Sequence, residues 1–305
     1  MAIKEKKLSL MFKKFKELSL TVKITLILFF CFFFVEACIQ LYPFVWVINN
    51  SLKTTMSIHE NTMSLTKDWA IKNYFYVFTK FKGNGTVMYF EMLFNSVWQT
   101  SLYLLINITS SMFVGYNLAK FRFPGKSALY ALLIFTQTIP IMGTGAASFK
   151  LKYDLNMINN PSTIWLSWAM GFDYSAFILF GSFQGISKSY SESAEIDGAN
   201  EWQIFFKVIF PQVFPVIVAL LVSNFVTKWN DYTMSQITLN KYPNLAYGLY
   251  TFEKASIYGN DSIMATYGNG IYYAALVLTA LPGVILYATF QNLIIKNMTV
   301  GGLKG

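Results

Sequence analysis

The sequence predicts an all-α polytopic membrane protein: six transmembrane helices, with one long cytoplasmic loop between helices 4 and 5. Three observations carry that prediction. The 305 residues are 54% hydrophobic and 18% aromatic but only 13% charged, about half the charged fraction of an average soluble chain. Apolar runs long enough to cross a bilayer recur along the chain. The polar, helix-capable stretch 187–211 lies between two of these runs, so it must rest against a membrane face.

A basic segment, 1–23, comes first. Seven of the 24 Lys and Arg residues (Lys4, Lys6, Lys7, Lys13, Lys14, Lys16 and Lys23) precede the first span. Basic residues there hold an N-terminus in the cytoplasm, and a basic amphipathic segment rests on anionic lipid. The net charge of +9 is thereby assigned to topology and membrane lipid, not to nucleic acid. Ile24–Ile48 is the first span, ending in Tyr42, Phe44 and Trp46 at an interface. It is too long for a signal-peptide core, and the glutamate in Val35-Glu-Ala-Cys38 fits lipoprotein cleavage poorly. Glu36 is costly in lipid; it either serves function or hydrogen-bonds a neighbouring helix. Cys31 and Cys38 lie seven residues apart on this helix, ~10 Å and too far for a disulfide. His59 is the single histidine, so neither a metal site nor a catalytic centre is expected.

Residues 50–92 form a polar outer loop. The second span, Leu93–Leu118, ends in the basic inner turn Lys120–Lys126. The third, Ser127–Phe149, contains Pro140, Gly143 and Gly145, features that kink or break a membrane helix. An outer loop, Lys150–Pro161, leads to the fourth span, Ser162–Gly185, within which Asp173 must face the bundle or a cavity. Pro211–Val226 is the fifth span, followed by Trp229-Asn-Asp-Tyr232 and an outer connection through Tyr267. The sixth, Gly270–Ile295, returns the chain to the inside, where the tail 296–305 lies. The membrane domain is therefore 24–295, with both termini cytoplasmic.

The inner loop 187–211 reads as helix, turn, helix. Ser189 with Glu192 has the spacing of a capping box, and Asn200 with Gln203 offers a second start with Glu201 in its first turn. Gly198 stands where a chain leaving a helix needs a left-handed residue, and Pro211 opens the next span. Glu192, Ala194, Gly198 and Pro211 fall on the signature loop of ATP-binding-cassette importer permeases, with Ser193, Val208 and Phe210 in place of that motif's second Ala, Ile and Leu. Pro43-Phe-Val-Trp46 with Asn50-Ser-Leu-Lys53, the pair Asn95-Ser96, Ala119–Lys126, Trp229-Asn-Asp231 and the tail Gly301-Gly-Leu-Lys-Gly305 follow the same family. Nearly end to end, the chain resembles the second permease of the maltose-type carbohydrate importers.

That resemblance implies a heterodimer with a second homologous permease, two cytoplasmic ATPase subunits and an extracytoplasmic solute-binding protein, in a bacterial cell membrane. Glu192, Ser193, Ala194, Asp197 and Gly198 would form the coupling helix against the ATPase, and Gly301, Gly302 and Lys304 a second contact. ATP and Mg would reside on the partners: this chain has no Gly-rich phosphate loop and no paired catalytic groups, so it is not itself an enzyme. The cargo implied is an oligosaccharide. Trp98, Gln99, Gln137, Asp173, Asn224 and Asn230 are candidates for its pathway, or else polar links between helices. An ATP-independent secondary transporter is the alternative reading. It would call for inverted repeats and ion-coupling carboxylates, for which the sequence offers only Glu36 and Asp173, and it leaves the signature loop unexplained.

Overall fold

The computed structural model describes residues 18–83, 86–138, 143–169, 171–257 and 268–300, with side chains to 292. The basic N-terminal segment up to residue 17, Pro140 and the tail from Gly301 therefore lie outside the described residues. The chain opens with α1 (Leu20–Ser51), α2 (Thr55–Glu60) and α3 (Lys72–Lys80), then a short antiparallel pair, β1 (Lys82–Gly83) and β2 (Val87–Met88). The expected outer loop 50–92 is thus largely built, and α4 (Tyr89–Lys120) starts four residues before its predicted first residue, Leu93. Its apolar positions explain the order. Val77, Phe81, Tyr89 and Met92 join Trp229, Leu245, Phe252 and Ile271 in one buried cluster, so the loop is a lid of core rather than a solvated connection.

Helices α5 (Lys126–Thr138) and α6 (Gly145–Asp154) replace the single third span. The fourth is likewise divided, into a 3-10 turn at Ile164–Trp168 and α7 (Tyr174–Gln184). Asp173 is not inside a helix, as its place in the apolar run implied; it is the N-cap of α7. The inner loop forms α8 (Lys188–Ile196) and α9 (Glu201–Gln203), and α9 does not stop before Pro211. It runs through a π-helical turn at Ile204–Ile209 into α10 (Phe210–Trp229), so the predicted fifth span begins ten residues early as one helix from Glu201. The Pro211 ring would clash with the carbonyl four residues back, and the wider π turn, closed by the Phe210 N–H to the Phe205 carbonyl, accommodates it. Two shorter helices, α11 (Tyr232–Ile237) and α12 (Leu245–Ile257), precede α13 (Asn269–Val300).

Four of these helices are long and apolar enough to cross a membrane: Leu20–Ser51, Tyr89–Lys120, Glu201–Trp229 and Asn269–Asn292. The centre of the bundle is the α4–α7 contact, where Gly115 lets the two backbones meet. A β-carbon there would lie 3.0 Å from the Phe180 nitrogen and 3.2 Å from the Ala176 carbonyl. Ile108, Leu179, Phe183, Ile204, Ile209 and Val213 fill the adjoining core and fasten the π turn to α4 and α7. By contrast, none of the apolar window of α1 is buried within this chain. Gly115→Leu should force α4 and α7 apart, lowering stability by about 1–3 kcal/mol. Thermal unfolding of the detergent-solubilised protein checks this; an unchanged melting temperature would show that the contact is loose.

Candidate functional site

Three constellations concentrate polar chemistry, and each sits where the helices start, stop or break. The first is the inner loop. Ser187, rather than Ser189, caps α8: its oxygen accepts the Ser189 N–H at 3.3 Å, and Ser189 lies within the helix. The expected Ser189–Glu192 capping box is therefore absent, because the helix begins one residue before Ser189, at Lys188, and Ser187 takes the cap. At the other end, Gly198 adopts φ 82°. Its N–H bonds the Glu195 carbonyl at 3.0 Å, and the Ala199 N–H bonds the Ala194 carbonyl at 2.9 Å. This is a Schellman closure, which requires a left-handed residue at that place. The second box is present: Asn200 Oδ1 accepts the Gln203 N–H, and Gln203 Oε1 accepts the Asn200 N–H, both at 2.9 Å.

Glu192, Ser193, Asp197 and Gly198 are exposed on this loop, together with Ile196 and Trp202. Ala194 turns the other way and packs on the Ile108–Ile209 core. Lys120, at the end of α4, reaches the Ile186 carbonyl at 2.7 Å. The loop is thus held from behind by core and by α4, and a face with carboxylates and apolar side chains is left open.

The second constellation is a polar network between α4, α7 and α10. Asp173 Oδ2 accepts Asn107 Nδ2 at 2.8 Å, and Oδ1 accepts Ser111 Oγ at 2.8 Å and the Ala176 N–H at 3.0 Å. Asn224 Nδ2 donates to Ser175 Oγ at 2.9 Å and to Asn107 Oδ1 at 3.3 Å. Of the six predicted pathway residues, only Asp173 and Asn224 come together here. Trp98 donates to Asn95 Oδ1, and Gln99, buried, donates to the Tyr242 carbonyl. Gln137 is exposed beside Thr136, and Asn230 closes on the Val226 carbonyl of its own helix.

The third constellation was not anticipated. Lys228 is buried near the end of α10, 2.9 Å from Asp231. Its ammonium stands over the rings of Tyr103, at 5.4 Å, and Trp168, at 5.5 Å. Asp231 is also the N-cap of α11, accepting the Met234 N–H at 3.1 Å. Burial pushes its carboxyl up, but the Lys228 charge, with hydrogen bonds from Lys228, the Met234 N–H and Thr233, holds it below the usual carboxylate range. The sequence carried one signal for this pair, Lys and Asp spaced i, i+3 about Trp229-Asn230; the aromatic cage comes from other elements and had none.

With this geometry in place, comparison with known proteins adds four findings. The family described as "Binding-protein-dependent transport system inner membrane component" matches residues 107–300. The chain is 28% identical over 276 residues to the arabinooligosaccharides transport system permease protein AraQ of Halalkalibacterium halodurans, spanning 88% of this chain and 93% of that one. It is 27% identical over 270 residues to the diacetylchitobiose uptake system permease protein NgcG of Streptomyces coelicolor, spanning 87% and 85%. A chain in the crystal structure of a bacterial ABC transporter involved in import of the acidic polysaccharide alginate shares the fold, with a TM-score of 0.73 at 21% identity over 90% of this chain and 98% of its own.

Because Asp231 titrates lower in the folded protein than its unfolded value of about 3.9, the stability it contributes is complete above that value. It is lost as pH falls through the folded value. The melting temperature of the solubilised protein should therefore drop more steeply below about pH 4 in the wild type than in Asp231→Asn. Superimposable acid limbs would show that the Lys228 pair does not set this dependence.

Proposed function

The chain belongs to the family of binding-protein-dependent transport system inner membrane components, and from that membership we propose how it works: as one half of the membrane pore of an oligosaccharide importer. It is a multi-pass permease of the ATP-binding-cassette class for carbohydrates. Its relatives are named for arabinooligosaccharides and diacetylchitobiose, and oligosaccharide is the cargo class proposed here. The observation that carries the mechanism is the inner loop. Glu192, Ser193, Asp197 and Gly198 form an exposed, rigidly capped surface, while Ala194, Ile204 and Ile209 fix its back to the bundle. Such a surface transmits a push instead of absorbing it. We assign it as the coupling helix, docked on an ATPase subunit that holds ATP and Mg.

The rest of the assembly follows in the same reading. Membrane domain 24–295 crosses six times, the broken pairs α5–α6 and 3-10 turn–α7 each serving as a discontinuous span, and 187–211 faces the cytoplasm with both termini. Two ATPases bind from that side, where Gly301, Gly302 and Lys304 offer a further contact, and a solute-binding protein delivers cargo from the other. Glu36 supports the second permease. Midway along α1, it accepts a hydrogen bond from Gln40 at 2.9 Å, and both residues are exposed on this chain. A carboxylate so placed is too costly to leave in lipid, so another protein covers it. An ATP-independent secondary transporter would give the capped inner loop no task.

Two measurements test these assignments. Gly198→Val places a β-branched residue in a left-handed conformation, and Glu192→Lys reverses a charge at the docking face. In the reconstituted transporter, each should insert normally yet lose the ATPase subunit or its sugar-stimulated hydrolysis, with uptake reduced at least tenfold; wild-type uptake in both would remove the coupling role. In cells bearing the whole transporter, a cysteine at position 36 should cross-link to the second permease through a short bifunctional reagent. Labelling by lipid-soluble reagents alone would place that face in lipid and count against the pairing.

A further inference from the structure

Lys228 answers its own charge, but a neighbouring lysine does not. Two adjoining cavities, of about 250 and 260 Å³, open between α6, the 3-10 turn, α10 and α11, and Lys152, Asp231 and Met234 line both. Lys228 and Asp231 neutralise one another across 2.9 Å. Among the described residues Lys152 forms no ion pair, although its neighbour Lys150 pairs with Asp154. The walls therefore carry one net positive charge, at Lys152. Each cavity approaches the size of a small-molecule site, roughly 300–1,000 Å³, and the two are joined through shared walls. Phe149, exposed, lines one cavity, and Thr227 lines the other.

The surrounding backbone narrows what this cleft faces. It is bounded by the two interrupted stretches, α5–α6 and 3-10 turn–α7. Interrupted helices are where transporters place their substrate sites. A neutral sugar would be served by hydroxyls and a ring face alone. A partly buried ammonium without a counter-charge is costly, and an anionic ligand removes that cost through a charge-assisted hydrogen bond.

We propose that this cleft binds a carboxylate-bearing sugar, a uronate unit of an oligosaccharide, with Lys152 as its counter-charge and Phe149 as the platform for its ring. The inference rests on the carbohydrate-importer reading and adds the chemical class of cargo and the residues that select it. The Lys228–Asp231 pair, caged by Tyr103 and Trp168, fixes the wall against which the sugar sits.

Initial uptake rates in cells carrying the whole transporter test it, with labelled trigalacturonate as the acidic probe and neutral trisaccharides, galactotriose among them, as the comparison panel. For Lys152→Gln, the KM for trigalacturonate should rise about tenfold or more, as loss of a charged hydrogen bond implies, with the maximal rate changed less than twofold. Lys152→Arg should restore the KM. A wild type that takes up neutral oligosaccharides but no trigalacturonate overturns the inference alone. So does a KM unmoved in Lys152→Gln, or one equally raised in Lys152→Arg, which would mark a packing role. A wild type that imports no oligosaccharide of either kind overturns the importer reading beneath it.

Discussion

Asp173 accepts hydrogen bonds from Asn107, Ser111 and the Ala176 N–H, and the middle of the bundle depends on them. A helix that begins among packed apolar helices exposes N–H groups that must find partners within the protein. Here one carboxylate caps α7 and binds two side chains of α4, so the break in the fourth apolar run is also its attachment point. Gly115 completes the arrangement by bringing the two backbones into contact one to two turns further along α4. A carboxylate in this setting is retained because each of its oxygens has a partner; the same residue facing lipid would be prohibitive. Substrate need not touch Asp173 for the residue to matter.

The inner face obeys the same rule of satisfied ends by different means. Ser187 caps α8, a Schellman closure ends it at Gly198, and the Asn200–Gln203 box starts α9. No flexible linker follows: the helix continues through the π turn at Ile204–Ile209 into α10. Ile204 and Ile209 bury their side chains against Ile108 and Phe183, so a load applied at Glu192 or Gly198 meets core within one turn.

The helical membrane class and the helix-turn-helix form of loop 187–211 were legible because they rest on composition, run length and local capping rules, all written in adjacent residues. Gly198 and the Asn200–Gln203 box are cases where spacing alone sufficed. The Ser189–Glu192 box illustrates the limit: Ser187 and Ser189 both offer a capping hydroxyl, and the hydrogen-bonded start of the helix decides between them. Gly143 and Gly145 signalled the break in the third run, where two helices replace one; apolarity could not reveal that the fourth is broken, since a half-helix and a whole one bury the same residue types. Pathway residues were least legible. Gln99 and Asn230 are polar on apolar helices, as a substrate contact would be, yet they close on nearby carbonyls. Tyr103, Lys152, Trp168 and Lys228 meet only through tertiary packing, which no sequence period encodes.

Loop 187–211 and the Lys228 cage are joined by a single element. One helix runs from Glu201 to Trp229, 29 residues, or about 44 Å at 1.5 Å per residue. Its first turn is the end of the loop assigned to coupling, and its last carries Lys228 into the aromatic cage beside the cleft. Trp229, adjacent to that lysine, donates to the Thr279 carbonyl at 2.9 Å and ties the same end to α13. A packed helix responds to force at one end by tilting or sliding as a body, because its interior bonds are stiffer than its contacts. The π turn lies near its start and Pro215 at its midpoint, where bending would change the angle of the half that ends at Trp229. The far end of this helix holds Lys228, paired with Asp231, and Asp231 lines the same cavities as Lys152. The cleft and the loop are therefore joined by one continuous helix, although they occupy its opposite ends.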